Sequence, residues 1–398
     1  MKLDKITFNY LQSIKNKKIV LFGSGNIAEK TIRKCNDLKI DFIVDNSKNL
    51  QNSKFLNFDV LSPDTITDEH VVLICSTAIS DISDQLNKIG LIPNKNYFIS
   101  PILNDLLAIE ELEKIKGTFY FTSGTVAKEE FGGGLYKVEI NSEDYKLTKI
   151  YSGPCYGLIL KGSNLYFIDT DKGILECNTD DESVTFIKST PGKSRAHGIS
   201  FNESNNRFYL TCSYLDAVIE YDQYFNELRQ FKLSNKIDFS GSPAHHCNDN
   251  FSTDNSLFVS MFSSTGNWKK DVFDGCIAEF NIETGERLED ITKNLYMPHN
   301  VKFYDGSIHV LDSLPGHLRT NNFSIIGTFP AFTRGLDYKN GLYFIGQSKN
   351  RNFSKVLGLS NNISIDCGII IFNPTQKVSR FIPISMKIGE IHSIIAFQ

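Results

Sequence analysis

From Lys18 the chain alternates short apolar runs with amphipathic stretches. "KKIVLF" reads as a buried strand and "NIAEKTIRKCNDL" has helical spacing. "KIDFIVDN" and "EHVVLICST" read as two more strands, "SDISDQLNKIG" as a helix and "NYFIS" as a short strand. This alternation predicts βαβ units and a small Rossmann-like parallel sheet over residues 1–103. "NDLLAIEELEKIK" then predicts a linker helix over 104–116.

After Gly117 helical spacing almost disappears and a repeat takes over. Each unit has a first strand with a polar residue near its start, a turn, an aromatic-rich second strand, and a third strand that often ends in Asn or Asp. The second strands are "TFYFTSG", "NLYFIDT", "RFYLTCS", "SLFVSMF", "SIHVLDS" and "GLYFIGQ". The first unit lacks a first strand, and the chain ends on an unpaired one, "IHSIIAF" from Ile391 to Phe397. A ring closed by that last strand leaves no sheet edge open, so residues 117–398 are predicted to form a six-bladed β-propeller. The fold class is therefore multidomain, α/β followed by all-β.

Composition changes this picture little. Hydrophobic residues make up 41% and charged residues 22%, as in ordinary globular proteins. A net charge of −4 and the lack of a Lys/Arg cluster argue against nucleic-acid or anionic-membrane partners. The start has no apolar signal-peptide core and no apolar run is long enough to span a bilayer. Eight cysteines are scattered without a CxxC pair, which suits reduced thiols. Together these predict a cytoplasmic protein, with a homo-oligomer left open.

Candidate chemistry gathers at one point of the repeat. The first strands start at Tyr156, His197, His245 or His246, His299, Arg334 and His392, so that five of the eight histidines, counting both His245 and His246, cluster there. Propeller first strands line the central channel, so these side chains should converge. His246 is preferred over His245 by gap-free alignment. His197, His246, His299 and His392 could hold a divalent metal, with Arg334 clamping an anion and Tyr156 serving as acid or donor. Metal-free imidazole chemistry, or a polar plug without catalysis, are the alternatives. Asn248, Asp249 and Asn300 are candidates to orient the imidazoles or to form turns. Gln347, Lys349 and Arg351 are candidates for further anion contacts.

"YMPHNVKFYDGSIHVLDS", "FTRGLDYKNGLYFIGQSKNR" and "SPAHHCND" resemble motifs of an uncharacterised bacterial propeller family of unknown function, over about Pro243 to Arg351. The His, His, Arg, His layout is also similar to arylsulfate sulfotransferases, where a histidine takes the sulfuryl group. Oligogalacturonate lyases, propellers with His-bound metal, offer a looser likeness.

In the N-terminal part, "FGSGNIA" places G-x-G-x-x-A between a strand and a helix. Gly23, Gly25 and Asn26 could approach a phosphate at the helix N-terminus, and Asp45 could bind ribose hydroxyls. "FGSGNIA", "FIVDNS", "VVLICST" and "QLNKIGLIPNKNYFIS" resemble Rossmann-like domains attached to sugar-modifying enzymes, which implies a nucleotide or nucleotide-sugar ligand. The combined expectation is an enzyme of surface carbohydrate biosynthesis. It would act on an anionic sugar in the propeller channel as a lyase, epimerase or hydrolase. Histidine group transfer or a non-catalytic binding platform are the alternatives.

Overall fold

The computed structural model describes residues 8–124, 132–320, 322–350 and 363–397. The chain divides into two compact units, Met1–Leu112 and Glu113–Gln398. Strand dominates at 49%, against 11% helix, so the protein is mostly β. No described helix is long and apolar enough to cross a membrane.

The first unit holds strands β1 (Lys18–Phe22), β2 (Ile40–Val44), β3 (Ser53–Phe55), β4 (Phe58–Leu61), β5 (His70–Ile74) and β6 (Tyr97–Ile99). Helices are α1 (Phe8–Ile14), α2 (Asn26–Lys34), α3 (Ile79–Lys88) and α4 (Pro101–Glu113). The six strands form one sheet in the order β3-β4-β2-β1-β5-β6. The expected Rossmann-like parallel sheet is corrected here: the sheet is small and mixed, because β3 runs antiparallel to β4. After β2 the chain turns into this hairpin, with Leu56 at φ 54, instead of a crossover helix. "SKFLNFDV" is too short and too polar to announce a strand pair. Val20, Phe22, Val72, Ile74 and Leu86 form the core on one side. The α4 residues Leu103 and Leu107 pack into that same cluster, so this helix is part of the unit's core.

The second unit is a six-bladed β-propeller of four-stranded antiparallel sheets. Its first blade contains β7 (Gly117–Ser123), β8 (Gly134–Asn141) and β9 (Asp144–Ser152). The second runs through β10 (Cys155–Lys161), β11 (Asn164–Asp169), β12 (Gly173–Asn178) and β13 (Val184–Lys188). The third is β14 (Ala196–Asn202), β15 (Arg207–Cys212), β16 (Ala217–Tyr221) and β17 (Glu227–Lys232). The fourth is β18 (Cys247–Ser252), β19 (Ser256–Met261), β20 (Gly275–Asn281) and β21 (Arg287–Leu295). The fifth is β22 (Pro298–Tyr304), β23 (Ser307–Asp312), β24 (His317–Thr320) and β25 (Ser324–Thr328). The sixth is β26 (Phe332–Lys339), β27 (Leu342–Ser348), β28 (Gly368–Asn373) and β29 (Val378–Pro383).

The last strand, β30 (Ser393–Ala396), returns to the first blade and pairs with β7, Ile394 opposite Phe121 and Ala396 opposite Phe119. The ring closes as the repeat required. Inner strands β10, β14, β18, β22, β26 and β30 neighbour one another in a circle, and that circle frames the channel.

Candidate active site in the propeller channel

Five of the six inner strands carry an irregularity at the same place. The ladder shifts between Tyr156 and Leu158, Ala196 and Gly198, Cys247 and Asn250, His299 and Lys302, and Arg334 and Leu336. Such bulges turn a side chain out of the regular pleat and are common beside active sites. Gly335 sits at φ 74 and Asn300 at φ 53, the left-handed region that glycine and asparagine tolerate best.

Counted from the ladders, Tyr156, His197, Asn248, His299 and Arg334 are equivalent, and His392 matches them in β30's lead-in. His246 is not. It lies two residues earlier, level with Arg195, Met297, Phe332 and Glu390. Residues two apart on a strand share a face, so both tiers reach the same space. The sequence alignment placed His246 one tier off because "AHHCND" offers no glycine to mark the bulge.

A cavity of ≈ 260 Å3 is lined by residues of both tiers, among them Tyr156, Arg195, His197, His246, His299 and Arg334. Phe262, Trp268, Met297 and Phe332 supply its apolar wall. His245 faces elsewhere, its Nδ1 2.8 Å from the Ser263 carbonyl. His392 is fully buried, with its ring 4.6 Å from that of Tyr156, 5.2 Å from His197 and 6.1 Å from His299. His246 stacks on Phe262 at 4.5 Å. The predicted convergence of Tyr156, His197, His246, His299, Arg334 and His392 is therefore present.

Burial sets the protonation states. It pushes the His197 and His299 imidazoles well below their usual range, with neighbouring positive groups adding to the effect. His246 is pushed down to about 3 by burial and by Arg195, Arg334 and Lys269. These rings are neutral at physiological pH. His299 Nδ1 lies 2.9 Å from the Met297 carbonyl and 2.8 Å from Ser313 Oγ. A carbonyl only accepts, so Nδ1 carries the proton and Nε2 is the bare, basic nitrogen. Burial and the Glu390 charge raise the Tyr156 phenol, which keeps it protonated.

Arg334 forms an ion pair with the buried Glu390. Arg195 donates to Tyr214 Oη at 2.7 Å and stacks over its ring. Below the cavity, Asn300 Nδ2 donates to Asp249 at 2.7 Å and Asn300 Oδ1 accepts from the Gly335 amide at 2.6 Å. Asn248 donates to the Pro298 carbonyl at 3.2 Å. These three predicted helpers brace neighbouring inner strands instead of orienting imidazoles directly. Burial lifts the Asp249 carboxyl to about 6. Gln347 is buried and donates to Ser364 and the Asp366 carbonyl, and Lys349 donates to the Met386 carbonyl. Arg351 lies outside the described residues.

The donor set does not fit a divalent metal. Among the described residues no group of three or more His, Cys, Asp or Glu is arranged to hold one. The His197 ring meets those of His246 and His392 edge to face at 5.6 and 5.2 Å. Two guanidinium groups border the same space. Two cations beside neutral imidazoles favour an anionic guest.

In the N-terminal unit the glycine loop is built around its own contacts. Gly23 has φ 107 and packs its α-carbon against the Cys75 carbonyl, where a Cβ would come within 3.2 Å. Asp45 accepts from the Ser24 amide at 2.9 Å, the Ser24 hydroxyl at 2.7 Å and the Ser47 amide at 2.9 Å. Those bonds lower its carboxyl against an opposing burial effect. The carboxylate expected to meet a ribose therefore also closes the loop. Gly25 and Asn26 are exposed at the start of α2.

Residues 176–398, more than half of the chain, match one family model. The chain belongs to the family described as Domain of unknown function (DUF4915). Residues 15–96 match the description C2185-like, N-terminal. No curated protein matches the chain. Among solved structures, a protein of unknown function from Bacteroides caccae is 14% identical, with a TM-score of 0.49 over 70% of this chain and 98% of that one. A chain of a nidogen/laminin complex is 9% identical, with a TM-score of 0.49 over 70% and 97%. A catalytically inactive virginiamycin B lyase from Staphylococcus aureus, crystallised with quinupristin, is 14% identical, with a TM-score of 0.39 over 70% and 88%.

Sequence reasoning missed Arg195, Trp268 and Glu390. The first and last stand two residues before a channel histidine, in "RAH" and "EIH". The period of two along a strand was the signal that could have found them. Trp268 comes from the loop between β19 and β20, which no repeat pattern covers.

Proposed function

We propose that the channel cavity is the active site of an enzyme acting on a sugar acid in carbohydrate metabolism, by removal of the proton next to the carboxylate. The supporting observation is the His299 tautomer: a bare Nε2 in a cavity that also holds Arg334. Two guanidinium groups, Arg334 and Arg195, border the cavity, and Glu390 pairs with the first, so the lining suits an anionic group such as a carboxylate. The guanidinium would hold that carboxylate while His299 Nε2 takes the α-proton; the C–H pair forms a double bond to the carboxylate carbon and a C=O pair shifts onto the oxygen that Arg334 holds, giving an enediolate. Protonation of the opposite face by Tyr156 would give an epimerase. Donation of the same phenolic proton to a departing β-oxygen would give a lyase. The free imidazole is a weak base because burial disfavours its charged form. A bound anion offsets that penalty and raises its basicity when substrate is present.

The test is solvent exchange. Purified protein is incubated with galacturonate or glucuronate in D2O and followed by NMR. Deuterium should enter next to the carboxylate, and His299→Gln should stop it. Binding without exchange would leave a recognition module in place of an enzyme. Absence of both binding and exchange would overturn the sugar-acid reading.

A further inference from the structure

Trp268 is the sole tryptophan of the chain, and it lines two spaces. One is the channel cavity. The other is a cleft of ≈ 100 Å3 between segments 236–244 and 266–270. Lys236, Phe239, Asn267 and Lys270 line this cleft with Trp268. The two segments are laced together: Lys269 reaches Asp238 at 2.6 Å and Ser240 Oγ at 3.0 Å, and Lys236 donates to the Thr265 carbonyl. The cleft is therefore a built feature of the loops at the entrance.

Three observations there point to a ligand. The Trp268 indole Nε1 is buried and has no acceptor among the described residues, a costly state for an N–H donor. Phe239 is 73% exposed and Ile237 53%, large apolar surfaces beside a polar cleft. Lys270 makes no ion pair among the described residues and supplies an unmatched cation. The channel cavity at ≈ 260 Å3 is also below the range of about 300–1,000 Å3 that larger ligands occupy, and the cleft shares Trp268 with it.

We propose that the cleft is a second saccharide subsite and that the substrate is an acidic oligosaccharide. This rests on the sugar-acid reading of the channel. One sugar acid occupies the channel cavity. The next ring packs its apolar face on Trp268 and Phe239, one of its oxygens accepts from the indole N–H, and its carboxylate meets Lys270. Lys269 is already neutralised by Asp238 and Lys236 is tied to the Thr265 carbonyl, which leaves Lys270 as the cation placed to meet a ring carboxylate.

The experiment compares galacturonate, digalacturonate and trigalacturonate by calorimetry and by the fluorescence of Trp268. Trigalacturonate should bind at least tenfold tighter than galacturonate and shift the emission. Lys270→Ala and Phe239→Ala, both at exposed positions, should shrink that ratio to about twofold. Equal affinity for all three lengths, with Arg334→Ala still weakening each, would overturn the subsite and leave the channel reading intact. UDP-glucuronate binding tighter than trigalacturonate would replace the oligosaccharide with a nucleotide-sugar. Failure of every uronate to bind would remove both proposals.

Discussion

Glu390→Gln is the most informative single change to the channel. Glu390 is 2% exposed and its partner Arg334 is 12% exposed, each by side chain. The substitution keeps the shape and removes one charge, so the guanidinium stays in the wall without the carboxylate of Glu390. Two unit charges about 4 Å apart attract by about 4 kcal/mol at an effective dielectric of 20. Removing one partner of a buried pair costs about 3–5 kcal/mol. The partial exposure of Arg334 favours the lower end, about 3 kcal/mol. At about 2–4 °C per kcal/mol for a domain approaching this size, the melting temperature should fall by roughly 6–12 °C. The pair Arg334→Met with Glu390→Gln removes both charges and should recover most of that loss. The recovered double variant should still fail to bind galacturonate, because a hydrogen-bonded cation contributes about 1.5–3 kcal/mol to such contacts. Calorimetric unfolding and binding on wild type, both single variants and the double variant form the cycle. An unchanged transition in Glu390→Gln, or a double variant less stable than either single one, would refute the buried-pair argument. Full binding by the double variant would refute the role of Arg334.

Two further outcomes follow from the same geometry. Deleting residues 391–398 removes the buried Ile391 and Ile394 and the ladder to β7; the isoleucines alone contribute ~3–6 kcal/mol. The exposed β7 edge should make the shortened protein aggregate, and a soluble product with an unchanged unfolding transition would contradict ring closure by β30. Stability should fall as pH drops from 7 to 5. His197, His246 and His299 have folded pKa values below the unfolded one, so only the unfolded chain takes up their protons in that window, at about 2 kcal/mol per imidazole. Asp249 and Asp312, each raised to about 6, act in the opposite sense and return about 1.3 kcal/mol apiece. The net loss should be visible in urea titrations, and flat stability across this range would contradict neutral buried imidazoles.

Three strands per blade were legible, and the fourth was not. Inner, second and third strands carry long apolar or aromatic runs because both faces are covered, as in "NLYFID" and "GIIIFN". The outer strands β13 and β17, "VTFIK" and "ELRQFK", are mostly exposed or half-buried. Their burial pattern does not force a period on the sequence. The N-terminal misreading has a different origin. "FGSGNIA" and Asp45 at the next strand end are local features that a tight turn needs even without a ligand. Gly23 is required by its φ and its contact with Cys75, and Asp45 by the Ser24 and Ser47 donors. A motif built from turn residues cannot by itself separate a nucleotide site from a well-capped loop.

The channel differs because its polar residues are not explained by local geometry. Tyr156, His197, His299 and Arg334 each precede a bulge, and the bulge itself needs only the following Gly or Asn. Nothing in the backbone asks for an imidazole there, and burying one costs free energy through its depressed pKa. The His197 ring has both nitrogens buried without a protein partner among the described residues, a cost that Phe or Leu would avoid. A closed ring of six sheets could be stabilised more cheaply by an apolar plug, as the fully buried Ile391 beside His392 illustrates. Retaining several neutral imidazoles, a phenol and a paired guanidinium around one cavity therefore costs stability that an apolar plug would keep. That cost supports the proposal that the channel binds and acts on a ligand.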